Sequence, residues 1–129
     1  MAGKTFGSFI TEKRLARDMT LRGFAGELGI SPVYMCNIEK DRRAAPTEDV
    51  LERISTLLML TPTEKTKMLD LAAKSKNAPS VAFDLPEYIN EKDIVRVALR
   101  TAKDVDATDE EWQEFIDKLQ KRVTRNPNN

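Results

Sequence analysis

The stretch Thr20-Leu-Arg-Gly-Phe-Ala-Gly-Glu-Leu-Gly-Ile-Ser-Pro-Val-Tyr-Met-Cys-Asn-Ile-Glu39 predicts two short helices joined by a tight turn. Thr20 and Ser31 can cap the two helices, because their hydroxyl groups accept hydrogen bonds from backbone N–H groups left unpaired in a first helical turn. Gly29 lies where the chain must reverse, and glycine adopts a left-handed backbone conformation without a steric penalty. The stretch is typical of a helix-turn-helix, in which one helix rests on the DNA backbone and the next enters the major groove.

Apolar residues within this stretch recur at helical spacing and predict the buried faces. We expect the first helix to bury Leu21, Phe24, Ala25 and Leu28, and the second to bury Ile30, Met35 and Ile38. Pro32 suits the first position of its helix, because its missing N–H would have no partner there.

The remaining chain predicts further helices and no strand, since no segment alternates with period two. The expected fold class is all-α, with five helices in a helix-turn-helix domain over residues 1–76 and two more in a C-terminal helical extension over 77–129. The first helix should run from Thr5 to Asp18. Its expected inward residues are Phe6, Phe9, Ile10, Leu15 and Met19.

Four other helices are predicted from caps and apolar spacing. Thr47 should cap the fourth, and Thr61 the fifth, with Pro62 at its first position and Glu64 as capping-box partner. Residues 77–86 are predicted to form the connection between the helix-turn-helix domain and the C-terminal extension. A helix over about 91–104 follows, and the last begins at the box Thr108-Asp-Glu-Glu111. Its stripe of Trp112, Phe115, Ile116, Leu119 and Val123 belongs either to a core or to an interface with another chain.

The composition indicates where the protein acts and argues against a catalytic function. The chain of 129 residues has 21 basic and 21 acidic residues, with a basic excess in residues 1–46 and an acidic excess in 77–129. A single cysteine and the lack of a signal peptide or long apolar run lead us to expect a cytoplasmic protein without membrane association. Histidine is absent and no nucleophile–base set is visible, so we predict no catalytic residue, metal ligand or cofactor, and therefore no enzyme.

Residues 9–60 resemble the lambda repressor/Cro-like helix-turn-helix domains, also called the XRE family. The shared features are Arg14-Leu-Ala, the capped helix Thr20–Leu28, Gly29-Ile-Ser31, Ile38-Glu39, and a basic loop ending at Pro46. These domains are five-helix DNA-binding modules of phage repressors, bacterial regulators and some antitoxins. The resemblance covers about half of the chain and implies sequence-specific binding to double-stranded DNA.

The resemblance also implies which residues face DNA. Base contacts are expected from the first turns of the second motif helix, namely Pro32, Val33, Tyr34 and Asn37. Asn37 can pair with adenine in a bidentate manner, and Val33 can pack on a thymine methyl group. Tyr34 can reach a phosphate or lie against the sugars. The alternative is that Val33 and Tyr34 belong to the edge of the core.

Phosphate contacts are expected from Thr20, Lys40, Arg42 and Arg43. Leu21 stands where family members often carry a phosphate-binding glutamine, but the backbone amides that follow Thr20 can still hold a phosphate. The alternative for the basic run is a solvated surface. In the family, the glutamate that closes the second motif helix pairs with a basic residue of the first helix, which corresponds to Arg14 and Glu39. The alternative is that Arg14 and Glu39 are solvated surface charges that do not pair with each other.

Together these features predict a transcriptional regulator, a repressor that binds its operator as a homodimer. One small module covers too few base pairs for specificity in a genome, and a dimer places two reading helices one DNA turn apart. The alternative is an antitoxin-like or partner-controlled protein, whose C-terminal helices bind another protein.

Overall fold

The structure, a computed structural model, describes residues 4–76 and 80–125. All regular secondary structure in these residues is helical, which confirms the predicted all-α class. In chain order the helices are α1 (Phe6–Ala16), α2 (Leu21–Leu28), α3 (Pro32–Glu39), α4 (Glu48–Leu57), α5 (Pro62–Lys74), α6 (Pro86–Glu91), α7 (Asp93–Asp104) and α8 (Asp109–Arg125). No helix in the described part of the chain is long and apolar enough to cross a membrane.

The chain divides into two compact units, residues 1–86 and 87–129. The boundary between the two units lies after residue 86, whereas the boundary predicted from the sequence lay after residue 76. The reason is that Ala82 is buried in the core of the first unit, with Phe83 packed against that core. A segment that buries an alanine and packs an aromatic ring belongs to the unit that covers it.

The first unit is built around one apolar core to which α1 to α5 all contribute. Helix α3 packs against α1 and α2, while α5 packs against α1 and α2 against α4. The largest fully buried side chains are Ile10, Phe24, Leu28, Met35, Ile38, Ile54 and Met68. The buried residues predicted for the two motif helices are confirmed, with Leu21 and Ile30 partly buried and packed against the core. Helix α3 is therefore held along its length by two neighbouring helices.

Most predicted helix caps are present. The hydroxyls of Thr20 and Ser31 accept hydrogen bonds from the backbone N–H groups of Gly23 and Tyr34. Thr61 and Glu64 form the predicted capping box at the start of α5, and Thr108 and Glu111 exchange the equivalent hydrogen bonds at the start of α8. Thr47 precedes α4 as expected, but its side chain makes no capping hydrogen bond.

Two expectations about the fold were wrong. Leu15, predicted to face inward, is 58% exposed, because α1 turns the neighbouring Arg14 into the interior instead. Of the connection predicted over 77–86, residues 77–79 lie outside the described residues, and Pro86 begins a short helix, α6. The described residues after 79 therefore form three helices rather than two. Pro86 is the first residue of α6, a position that proline favours, rather than a residue of a loop.

Candidate nucleic-acid interface

The turn between α2 and α3 is fixed by backbone geometry. Gly29 adopts a left-handed conformation with φ of 70°, and its N–H donates to the carbonyl of Gly26 at 3.1 Å. The N–H of Ile30 donates to Ala25 at 3.1 Å, so the turn satisfies carbonyls at the end of α2. Ser31 and Pro32 then start α3 at once. The short turn gives the two helices the arrangement of a helix-turn-helix.

The leading end of α3 carries the residues expected to contact bases. Val33 is 72% exposed, so it does not belong to the core. Tyr34 is half-buried and packs against the core, as the alternative interpretation held for that residue. Pro32 and Asn37 are half-buried on the same short helix. Val33 is therefore the most accessible of the four expected contacts.

The basic loop after α3 is attached to the helix by backbone hydrogen bonds. The carbonyl oxygen of Asn37 accepts from the N–H groups of Arg42, at 2.8 Å, and Arg43, at 3.3 Å. The Arg43 guanidinium lies over the Tyr34 ring, 5.6 Å from its centroid, which is within the range of a cation–π interaction. Tyr34 thus connects the core to a cation, a contact that the sequence did not predict.

The four residues expected to contact phosphate occupy two places. Lys40, Arg42 and Arg43 are exposed at and just after the end of α3, with Lys40 as its C-terminal cap residue. Thr20 is exposed at the start of α2, where its hydroxyl accepts from the Gly23 amide at 3.0 Å. The Thr20 hydroxyl therefore already caps α2. An anion bound there would contact the backbone N–H groups at the N-terminus of α2.

Arg14 and Glu39 form a bidentate ion pair between α1 and the end of α3. Arg14 Nε lies 2.8 Å from Glu39 Oε2, and Arg14 Nη2 lies 3.0 Å from Glu39 Oε1. The two side chains are only 10% and 6% exposed, so these residues are not solvated surface charges. Arg14 Nη1 also donates to the carbonyl of Met19 at 2.8 Å. The pair joins α1, the segment before α2, and α3.

Asp41 makes a second connection between the same helices. Its Oδ1 accepts from the Gly7 N–H at 3.0 Å, and its Oδ2 accepts from the Thr5 hydroxyl at 2.6 Å. Its backbone has a positive φ of 60°, a conformation in which aspartate is more common than most residues. Asp41 was not among the residues for which the sequence predicted a role. An aspartate next to the C-cap residue Lys40 was the available signal, but its partners are more than 30 positions away.

No protein-family model matches this chain, and no curated protein matches it. A chain in a solved structure described as the SinR protein/SinI protein complex is similar at 18% sequence identity and a TM-score of 0.47. The similarity covers 93% of this chain and 99% of that chain. Similarity at this level does not establish a shared function, which must be argued from the site itself.

Proposed function

We propose that this protein is a sequence-specific regulator of transcription, a repressor that binds double-stranded DNA through α3. The observation that carries the proposal is the contrast between the two sides of this helix. Met35 and Ile38 are buried, and the Arg14–Glu39 pair fixes its end, while Val33 at its beginning is exposed. A rigid helix with a free leading end is the form in which helix-turn-helix proteins present side chains to the major groove.

Each expected contact has a distinct role in this proposal. Asn37 reads adenine through its amide, and Val33 packs on a thymine methyl group beside Pro32. Tyr34 sets the position of Arg43 through the ring contact. Lys40, Arg42 and Arg43 neutralise phosphates, together with the helix N-terminus that follows Thr20. No metal, cofactor or catalytic group takes part.

Binding as a homodimer follows from the size of the reading surface. Helix α3 has eight residues, and three of them, Pro32, Val33 and Asn37, are proposed to contact bases. A single module of this size supports limited specificity, whereas two copies on a two-fold symmetric operator double the number of base contacts. The protein would act in the cytoplasm of a bacterium, where operator DNA is accessible.

A second candidate function is supported by the C-terminal unit. Its helices α7 and α8 expose large apolar side chains, among them Ile94 at 72% and Phe115 at 52%. Exposed apolar surface of this kind marks protein interaction sites. An antitoxin-like or partner-controlled regulator would use this surface to bind a different protein. Co-purification of a second polypeptide in fixed stoichiometry would favour this function.

The first proposal is tested by selecting duplexes from a random DNA pool with the full chain. We expect an enriched two-fold symmetric sequence. The binding free energy for that sequence should be less favourable by about 1–3 kcal/mol in Asn37→Ala than in the native chain, which is the usual value of one bidentate base contact. Asn90→Ala, an exposed asparagine of α6, is the matched control and should bind as the native chain does. Equal affinities of Asn37→Ala and the control would show that the Asn37 side chain does not contact the DNA.

A further inference from the structure

Helix α8 exposes a continuous apolar stripe. Its residues lie at steps of three and four along the helix: Trp112, Phe115, Ile116, Leu119 and Val123, which are 36% to 72% exposed. Trp112 and Phe115 contact each other edge to face, with ring centroids 6.1 Å apart, yet both rings remain exposed. Two aromatic and three aliphatic side chains on one face form a surface that another helix can cover.

The charges of α8 are divided sharply along its length. From residue 109 to 117 the charged residues are all acidic: Asp109, Glu110, Glu111, Glu114 and Asp117. From residue 118 onward they are all basic, beginning with Lys118, Lys121 and Arg122. This order suits the dipole of a single helix. It also makes the helix complementary to a copy of itself that runs in the opposite direction.

The apolar stripe and the charge division share one centre. The stripe runs from Trp112 to Val123, and its midpoint lies between Asp117 and Lys118, where the charge changes sign. Reversal of the helix about this point places Trp112 opposite Val123 and Ile116 opposite Leu119. The spacing of these four residues, in steps of four, three and four, is that of a coiled-coil seam.

We propose that α8 pairs with α8 of a second copy of this chain, antiparallel, about a two-fold axis between Asp117 and Lys118. The acidic half of each helix then lies beside the basic half of the other. A parallel pair would place like charges side by side, which is unfavourable. A surface that is complementary to itself about a two-fold axis fits a second copy rather than an unrelated protein. The inference deepens the homodimer part of the proposed function.

Pairing is tested by sedimentation of the full chain without DNA, over a range of protein concentrations. The native chain should show a monomer–dimer equilibrium, and Ile116→Asp or Leu119→Asp should raise its dissociation constant at least tenfold. Met59→Asp is the control, because Met59 is a 68% exposed residue of the other unit, at a positive φ that aspartate tolerates. A monomeric native chain, or stripe variants that dimerise as the control does, would overturn the proposal.

Orientation is tested with spin labels in a Cys36→Ser background, which removes the native thiol. Labels at Asp117→Cys lie close to the axis and should be near each other in the dimer. Labels at Glu110→Cys should be farther apart by roughly 20 Å along the helix, because each residue advances the helix by about 1.5 Å. Equal separations at both sites would show a parallel pair and refute the proposal. Since no DNA is present, these results are independent of operator binding.

Discussion

The carboxylate of Asp41 accepts a hydrogen bond from the backbone amide of Gly7 at 3.0 Å. This contact joins the turn after α3 to the first turn of α1, where amide groups lack partners within the helix. With the Arg14–Glu39 pair, it gives the end of α3 two polar attachments to α1. The orientation of the proposed reading helix is thus set by α1 as well as by the core beneath it.

Gly7 allows this close approach, and a methyl group there should force the helices apart. A Cβ at Gly7 would lie 2.4 Å from the carbonyl oxygen of Glu39 and 2.6 Å from that of Ile38. We expect Gly7→Ala to lower the free energy of unfolding by about 1–3 kcal/mol, the usual range for overpacking. Chemical denaturation measures the change.

Gly26→Ala is the matched control for that variant. A Cβ at Gly26 meets nothing within 4 Å, and the residue lies inside α2. Replacement by alanine should raise the free energy of unfolding by up to about 1 kcal/mol, since glycine is a poor helix former. If both variants change stability in the same direction, the steric role of Gly7 is refuted.

The Arg14–Glu39 pair predicts a strong coupling between two substitutions. Arg14→Met leaves the Glu39 carboxylate, which is 6% exposed, without its partner, and should lower the free energy of unfolding by about 3–5 kcal/mol. Arg14→Met combined with Glu39→Met should recover much of that loss, because no buried charge remains. The exposed pair Lys65–Glu52 is the comparison, with an effect below about 1 kcal/mol for Lys65→Met. Additive effects at Arg14 and Glu39 would contradict the coupling.

Stability at acid pH should depend on Glu64. The hydrogen bond from Lys13, followed by that from the Thr61 backbone, lowers the pKa of Glu64 from 4.5 to about 2. The unfolded chain therefore takes up a proton near pH 4.5, whereas the native chain does so only near pH 2. The stabilisation is present above pH 4.5 and is lost as the pH falls toward 2.

Urea unfolding at several pH values tests this dependence. The free energy of unfolding of Glu64→Gln should fall less steeply between pH 4.5 and 2 than that of the native chain. Lys13→Met removes the largest cause of the shift and should also reduce the steepness. An unchanged slope in both variants would show that the ion pair does not shift the titration of Glu64.

The basic loop should contribute to the salt dependence of DNA binding. Arg42→Ala combined with Arg43→Ala should reduce the slope of log affinity against log salt by up to ~2, since each phosphate contact contributes ~0.9. Lys65→Ala combined with Lys67→Ala removes the same charge from α5 and should leave the slope unchanged. Equal slopes for the two double variants would exclude the loop from the phosphate contacts.

Local sequence signals predicted much of the fold, and long-range contacts account for the rest. The caps at Thr20, Ser31 and Thr61 depend on residues within one helical turn, so the sequence showed them directly. The inward turn of Arg14 depends on Glu39, and only the family resemblance indicated this pair, because a long charged side chain gives no apolar signal of burial. Leu15 was misassigned because it is apolar, although helical spacing from Ile10 points to position 14 rather than to position 15.

The candidate site was likewise predicted where it depends on local sequence and missed where it depends on contacts between separate segments. The expected contacts on α3 share one short helix that begins directly after its cap Ser31, so their grouping followed from local spacing. The ring contact between Tyr34 and Arg43 required the path of the loop, which the backbone carbonyl of Asn37 determines. The stripe on α8 was predicted from the sequence as a pattern, but only the structure showed that its side chains are exposed.

The proposed role of α3 is the recognition of a specific DNA sequence. Its most direct test is the ratio of dissociation constants for a scrambled duplex and for the selected duplex, measured with the native chain at about 150 mM salt. We predict a ratio of at least ~10³, the lower end of the usual range for specific DNA-binding proteins. A ratio near one would contradict it.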